Sequence, residues 1–226
     1  MSSLSESHAS CTGESDPVRT QLLAFLAPGL AHALASPLQV IQTQTALLGS
    51  GNDLQRGRDA LQRACGNAER LLDVLRCLCG PPNRTKSAQV GLYLPRLLEV
   101  LRFALRERGI RIEALHASIE TPVHVAQGPL TVALARLIYA LAFGVPAWWK
   151  GAFYVDLREQ AQSHATLVVG LQSSPGFLPF EMSVRETLEG VARDALAHGV
   201  GIEWDAVKQV AVLKVPTAAA VSRERG

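Results

Sequence analysis

From Val18 to Leu78 the chain repeats apolar residues at steps of three and four, with one interruption at "GSGND", residues 49–53. Before the break, Leu23, Leu26, Leu30, Leu34, Leu38, Ile41, Thr45 and Leu48 share one side of a helix. After it, Leu54, Gly57, Leu61, Ala64, Ala68, Leu71, Leu75 and Leu78 do the same. A turn this short joins antiparallel neighbours, so the two helices, over 18–48 and 53–79, form a hairpin. A hairpin covers each apolar seam on one side only. A second copy supplies the missing layer by completing a four-helix bundle, and Leu30, Leu34, Ile41, Leu61, Leu71 and Leu75 are expected at that dimer seam.

The rest of the chain alternates helix and strand signals. "CGPPNRTKSAQ", residues 79–89, carries two prolines and a polar cluster, which places a linker at 81–89. Beyond it, Leu92–Arg108 reads as a helix, "IRIEAL" as a strand and Pro129–Phe143 as an apolar helix opening on proline. "GAFYVDLRE" and "SHATLVVGLQ" read as paired strands, Val184–His198 as a helix, and "GIEWDA" and "VAVLKVP" as strands. The fold class is therefore α+β: a hairpin domain at 18–80, then an α/β sandwich at 90–216 with helices on one face of a mixed sheet. Residues 1–17 are rich in Ser, Gly and acid and lack periodicity, so a disordered leader is expected there, and a flexible tail at 217–226.

Composition removes several function classes. With 22 Lys and Arg against 20 Asp and Glu, the net charge of +2 provides no basic field for nucleic acid. A mean hydropathy of +0.14 suits a folded chain. No run of eighteen or more apolar residues or secretory signal is seen, so no membrane partner and a cytoplasmic location are expected. Cys11, Cys65, Cys77 and Cys79 form no CxxC pair and have no histidine at metal-ligand spacing. No metal is expected, and Cys65, Cys77 and Cys79 read as small helix residues.

One histidine stands apart from the seam. In "GLAHALASPLQVIQ", residues 29–42, His32 falls about 200° around the helix from Leu30, on the solvent side. Ala35, Ser36 and Gln39 surround it with small or polar side chains, which lets a partner approach the imidazole closely. Pro37 removes one helical hydrogen bond and is expected to bend the helix just after the histidine. A neutral imidazole carries a nitrogen lone pair near pH 7 and forms covalent intermediates. Presented on a helix, it suits a phosphoryl acceptor met in line.

The stretch "AHALASPLQVI" resembles the phosphoacceptor box of two-component histidine kinases, His-Glu-Leu-Arg-Asn/Thr-Pro-Leu, with His32, Leu34, Pro37 and Leu38 matching in place. The order of hairpin, linker and α/β domain is similar as well, across about residues 20–216. The resemblance implies a dimerisation and phosphotransfer hairpin with His32 as phosphoacceptor, followed by a domain related to the kinase ATPase. Two positions depart from the pattern: the usual acid is Ala33 and the usual Arg is Ala35. Losing the acid removes a general base, which weighs against autophosphorylation more than against taking phosphoryl from an aspartyl phosphate.

By the same pattern the nucleotide elements are degenerate. Tyr139 stands where the metal-binding Asn belongs, and a tyrosine is a poor Mg ligand. "LQSSPGF" replaces the Asp-x-Gly-x-Gly turn, with Gln172 for the Asp, Ser174 for the first Gly and only Gly176 kept. No Gly-rich phosphate lid is found, and "HGVG" at 198–201 reads as a helix ending at glycine before a strand. No ATP and no cofactor is therefore expected. The combination resembles the dimeric histidine phosphotransferases of bacterial phosphorelays, which implies a homodimer exchanging phosphoryl groups with receiver-domain aspartates. The alternative is a non-catalytic pseudokinase adaptor docking on a response regulator or a kinase, favoured by Ala33. Trp148 and Trp149 are expected to pack near the degenerate pocket, Arg102, Arg106, Arg108 and Arg111 to form a solvated or receiver-facing basic segment, and His8, His116, His124, His164 and His198 to carry no chemistry.

Overall fold

The structure is a computed structural model that describes residues 17–48, 54–79, 87–115, 124–159, 164–172, 182–197, 199–205 and 210–217. Two long helices, α1 (Pro17–Leu48) and α2 (Leu54–Cys79), form the hairpin. Then follow β1 (Ser87–Gln89), α3 (Val90–Arg106), β2 (Arg111–Leu115), β3 (His124–Ala126), α4 (Gln127–Gly144), β4 (Ala152–Glu159), β5 (His164–Gln172), α5 (Met182–Leu196), β6 (Gly201–Asp205) and β7 (Val210–Pro216). The fold is thus a helical N-terminal region followed by an α/β unit. Two corrections concern local structure. Ser87–Gln89, expected in a linker, form β1 and pair antiparallel with β3. The fourth helix starts at Gln127, so Pro129 sits inside its first turn, where the missing N–H has no intrahelical partner to lose. The leader at 1–16 and the tail at 218–226 lie outside the described residues.

The main sheet has the order β2-β4-β5-β7-β6, with β2 parallel to β4 and the other pairs antiparallel. Alternation along the strands decides which face is covered. Phe153 and Val155 of β4, Ala165, Leu167 and Val169 of β5, and Ala211, Leu213 and Val215 of β7 enter the core. Tyr154, Asp156 and Arg158 point the other way; Arg158 pairs with Asp156 at 3.0 Å, and the Tyr154 ring lies over Gly170. α3 and α5 both stop at a glycine with positive φ, Gly109 at 69° and Gly199 at 77°. At each stop the next two amides turn back: Gly199 N donates to Leu196 O at 2.9 Å and Val200 N to Ala195 O at 2.9 Å. The "HGVG" segment is therefore a helix stop leading into β6, although His198 itself is outside the described residues.

α3 and α4 are apolar around most of their circumference, and such helices need cover on two sides. The sheet covers one side and the hairpin the other. α1 crosses α3 at Gly29, where an added Cβ would stand 2.1 Å from the carbonyl oxygen of Val100. Leu22, Leu26, Leu30 and Ala33 of α1 join Leu71, Val74 and Leu78 of α2 in one core with Val100, Leu134 and Ile138. Leu30 and Leu71, expected at a seam between two copies, are instead interior to the single chain, at 7% and 1% exposure. The physical reason is that α3 and α4 supply the second layer along this half of the hairpin. Leu34 and Leu75 are partly buried against the same core, and Ile41 and Leu61 are half-buried. Within Thr20–Leu47 an 18-residue window also has a mean hydropathy of 1.4, enough by length and composition alone to cross a membrane, and a core helix meets the same test.

A polar knot ties the hairpin to this layer. Tyr93 of α3 donates to Thr131 Oγ1 of α4, and Thr131 donates onward to the carbonyl of Gln127 at 2.7 Å. Cys77 of α2, itself buried, lies beside the Tyr93 hydroxyl. Burial holds the Tyr93 pKa well above the ordinary tyrosine value, with Cys77 adding to the rise and the bond to Thr131 opposing it.

Two outcomes are expected. Ala is better than Gly in a helix interior by ~1 kcal/mol, yet a Cβ driven onto a carbonyl costs about 3 kcal/mol. Gly29→Ala should therefore lower stability by about 2 kcal/mol in urea unfolding. For Tyr93, the unfolded hydroxyl ionises from about pH 10 while the folded one stays neutral, so its contribution is complete below pH 10 and is lost as pH rises above it. Unfolding free energies measured from pH 9 to 11 should fall, and Tyr93→Phe should make that fall shallower.

Candidate functional site

His32 sits in α1 one turn after Gly29, and its side chain is exposed. Because Gly29 lets the two backbones approach, the imidazole reaches α3 and stacks on Phe103, with ring centroids 4.3 Å apart and planes 18° from parallel. Phe103 is half-buried. Among the described residues neither imidazole nitrogen has a hydrogen-bond partner, so the contact occupies a ring face and leaves both nitrogens on a free edge.

On α1 itself the positions around His32 are uncharged. Ala31, Ala35, Ser36, Leu38 and Gln39 are all exposed, and Leu38 is 51% exposed. Ala33 points the opposite way, into the core at 3% exposure, so the position next to the histidine has no room for a solvated carboxylate. Pro37 is buried, and α1 runs as one helix through both Pro28 and Pro37. No Asp, Glu, Lys or Arg occurs between Thr20 and Leu47.

The positions compared above with nucleotide-binding elements separate. Tyr139 is half-buried and meets Phe25 of α1 edge-on at 5.3 Å and Phe143 at 4.5 Å. Its ring is thus part of the packing between α1 and α4. Gln172 ends β5, while Ser174, Gly176 and residues 173–181 as a whole lie outside the described residues. Trp149 is buried 5.7 Å from Phe153, and its ring fills the space a Cβ on Gly151 would take; Trp148 is 65% exposed.

Two members of the basic segment have partners within the chain. Arg102 Nε donates to the carbonyl of Ile112 at 3.1 Å, and the Arg108 guanidinium lies 4.3 Å over the Phe143 ring. Arg106 and Arg111 are exposed. Cys65 and Cys79 are exposed free thiols, and Cys11 lies outside the described residues. His124 is exposed in β3 and His164 half-buried in β5, while His8 and His116 lie outside the described residues. Among the described residues no group of three or more His, Cys, Asp or Glu side chains could hold a metal.

Sequence reasoning missed Gly29 and Phe103. Gly29 carried a signal, an isolated glycine inside a strong helical pattern, which usually marks a close approach. Phe103 carried none, being one of many apolar residues in a helix buried on two sides.

The sequence matches no family model and no curated protein. Solved structures similar to this chain include a bacterial phosphotransferase, 16% identical with 87% of this chain and 96% of that one covered, at a TM-score of 0.37. They also include the mycobacterial sensor histidine kinase MprB, 18% identical with 59% and 97% covered, at 0.37. A third is the blue-light activated histidine kinase of Erythrobacter litoralis, 14% identical with 84% and 64% covered, at 0.42. These three structures are thus two histidine kinases and a phosphotransferase.

Proposed function

We propose that this protein is a histidine phosphotransferase of a phosphorelay, in which His32 takes a phosphoryl group from one receiver-domain aspartate and passes it to another. The observation that carries the reading is the state of His32: exposed on a helix, with both nitrogens uncommitted and Ala35, Ser36 and Gln39 exposed around it. In the forward step an imidazole nitrogen attacks phosphorus in line, the P–O bond to the aspartyl carboxyl breaks, and the carboxylate leaves. Mg belongs to the receiver. Such a step needs no base from α1, which agrees with Ala33 facing the core.

The reading excludes ATP as donor, supported by Tyr139, whose ring is committed to packing against Phe25. It also includes a homodimer through the distal half of the hairpin, where Ile41 and Leu61 are half-buried and Leu38, Leu47 and Leu54 are exposed. Ala33 favours the second reading, an adaptor that docks on a response regulator or kinase without chemistry.

Incubation with a panel of phosphorylated receiver domains should place acid-labile phosphate on the wild type and none on His32→Ala. Binding to a receiver without label on His32 would replace the transferase reading with the adaptor. Titration with Mg-ATP, followed by calorimetry, should give no binding at micromolar concentrations; micromolar affinity would overturn the exclusion of ATP.

A further inference from the structure

The stack between His32 and Phe103 has a role if His32 is the phosphoacceptor, and the inference rests on that reading. We propose that Phe103 is a positioning residue for His32, and that Gly29 is the residue that allows it to be one. An exposed histidine on a helix is ordinarily free to move among the staggered wells of χ1 and the two broad orientations of χ2. Here the imidazole lies nearly flat on the Phe103 ring. That contact holds the ring by its face and leaves both the nucleophilic lone pair and the N–H free. A hydrogen bond would instead restrain the ring by its edge, at the N–H or at the nitrogen that attacks phosphorus.

The geometry depends on three positions acting together. Gly29 sits over Val100, with the Phe103 Cβ 3.4 Å from where its own Cβ would be. The missing side chain lowers α1 onto α3, and three residues later the histidine meets the aromatic ring. A Gly-x-x-His spacing on one helix, opposite an aromatic residue on its neighbour, is thus the unit that orients the nucleophile. On a helix two χ1 wells are open, so confinement to one of them and to one of two χ2 orientations is worth about fourfold in the fraction of imidazole ready to react.

The test uses phosphoramidate, a small phosphoryl donor that needs no receiver. An imidazole nitrogen forms the new P–N bond, the P–NH2 bond of the donor breaks, and ammonia leaves with the proton. Two readouts are followed on the full chain: the His32 ring-proton NMR resonances, assigned by loss in His32→Gln, and the rate of phosphorylation at His32. In the wild type the Phe103 ring current should move those resonances upfield. Phe103→Leu, which keeps apolar bulk and removes the ring, should return them downfield and slow phosphorylation about fourfold. Phe103→Tyr should restore both, and Gly29→Ala, which lifts α1, should move the resonances as Phe103→Leu does. Unchanged resonances in Phe103→Leu would overturn the proposal, and so would a lost stack with an unchanged rate. Dependence on Phe103 with phosphoramidate, together with no transfer from any receiver, would support the positioning while removing the relay reading alone.

Discussion

The close approach of α1 to α3 governs how this molecule is assembled. With no Cβ at Gly29, the first helix rests on the carbonyl of Val100. Leu22, Leu26, Leu30 and Ala33 are thereby carried into the same core as the sheet. Were the hairpin held farther off, α3 and α4 would lose cover on one of their two apolar sides. Dispersion contacts decay over fractions of an ångström, so a small separation here forfeits contacts along the whole crossing. The candidate site depends on the same approach, because His32 lies one turn further along.

A second tie acts through the other helix of the hairpin and works by different physics. Cys77, Tyr93, Gln127 and Thr131 bring polar groups from α2, α3 and α4 into a buried cluster. Apolar packing alone is tolerant of sliding, whereas a buried hydroxyl that must find its acceptor permits one register. The hairpin is thus held closely by a glycine at one point and aligned by hydrogen bonds at another.

Local features of the fold were legible in the sequence. The hairpin followed from three- and four-residue spacing and the break at 49–53, and β4, β5 and β7 followed from alternation. What escaped was non-local. β1 and β3 are three residues each, and their pairing joins Gln89 to His124 across a whole helix and strand, which no window of sequence reveals. The seam leucines show the same limit. Spacing marks Leu30 and Leu71 as needing a second layer, but it does not say whether a copy of the chain or its own α3 supplies it. At the site, the orientation of His32 was readable from helical geometry, whereas its contact with Phe103 required knowing which helix crosses at Gly29.

The absence of fixed charge on α1 between Thr20 and Leu47 has a consequence for recognition. Whatever docks on this helix meets alanines, a serine, glutamines and leucines rather than a patterned electrostatic surface. The helix itself then adds no long-range attraction to an encounter, and added salt has little on it to screen. Discrimination between partners falls to shape, through how closely a facing surface fits a row of small side chains, and it is expressed mainly in how long the complex lasts. A surface of this kind trades speed of capture for indifference to ionic conditions.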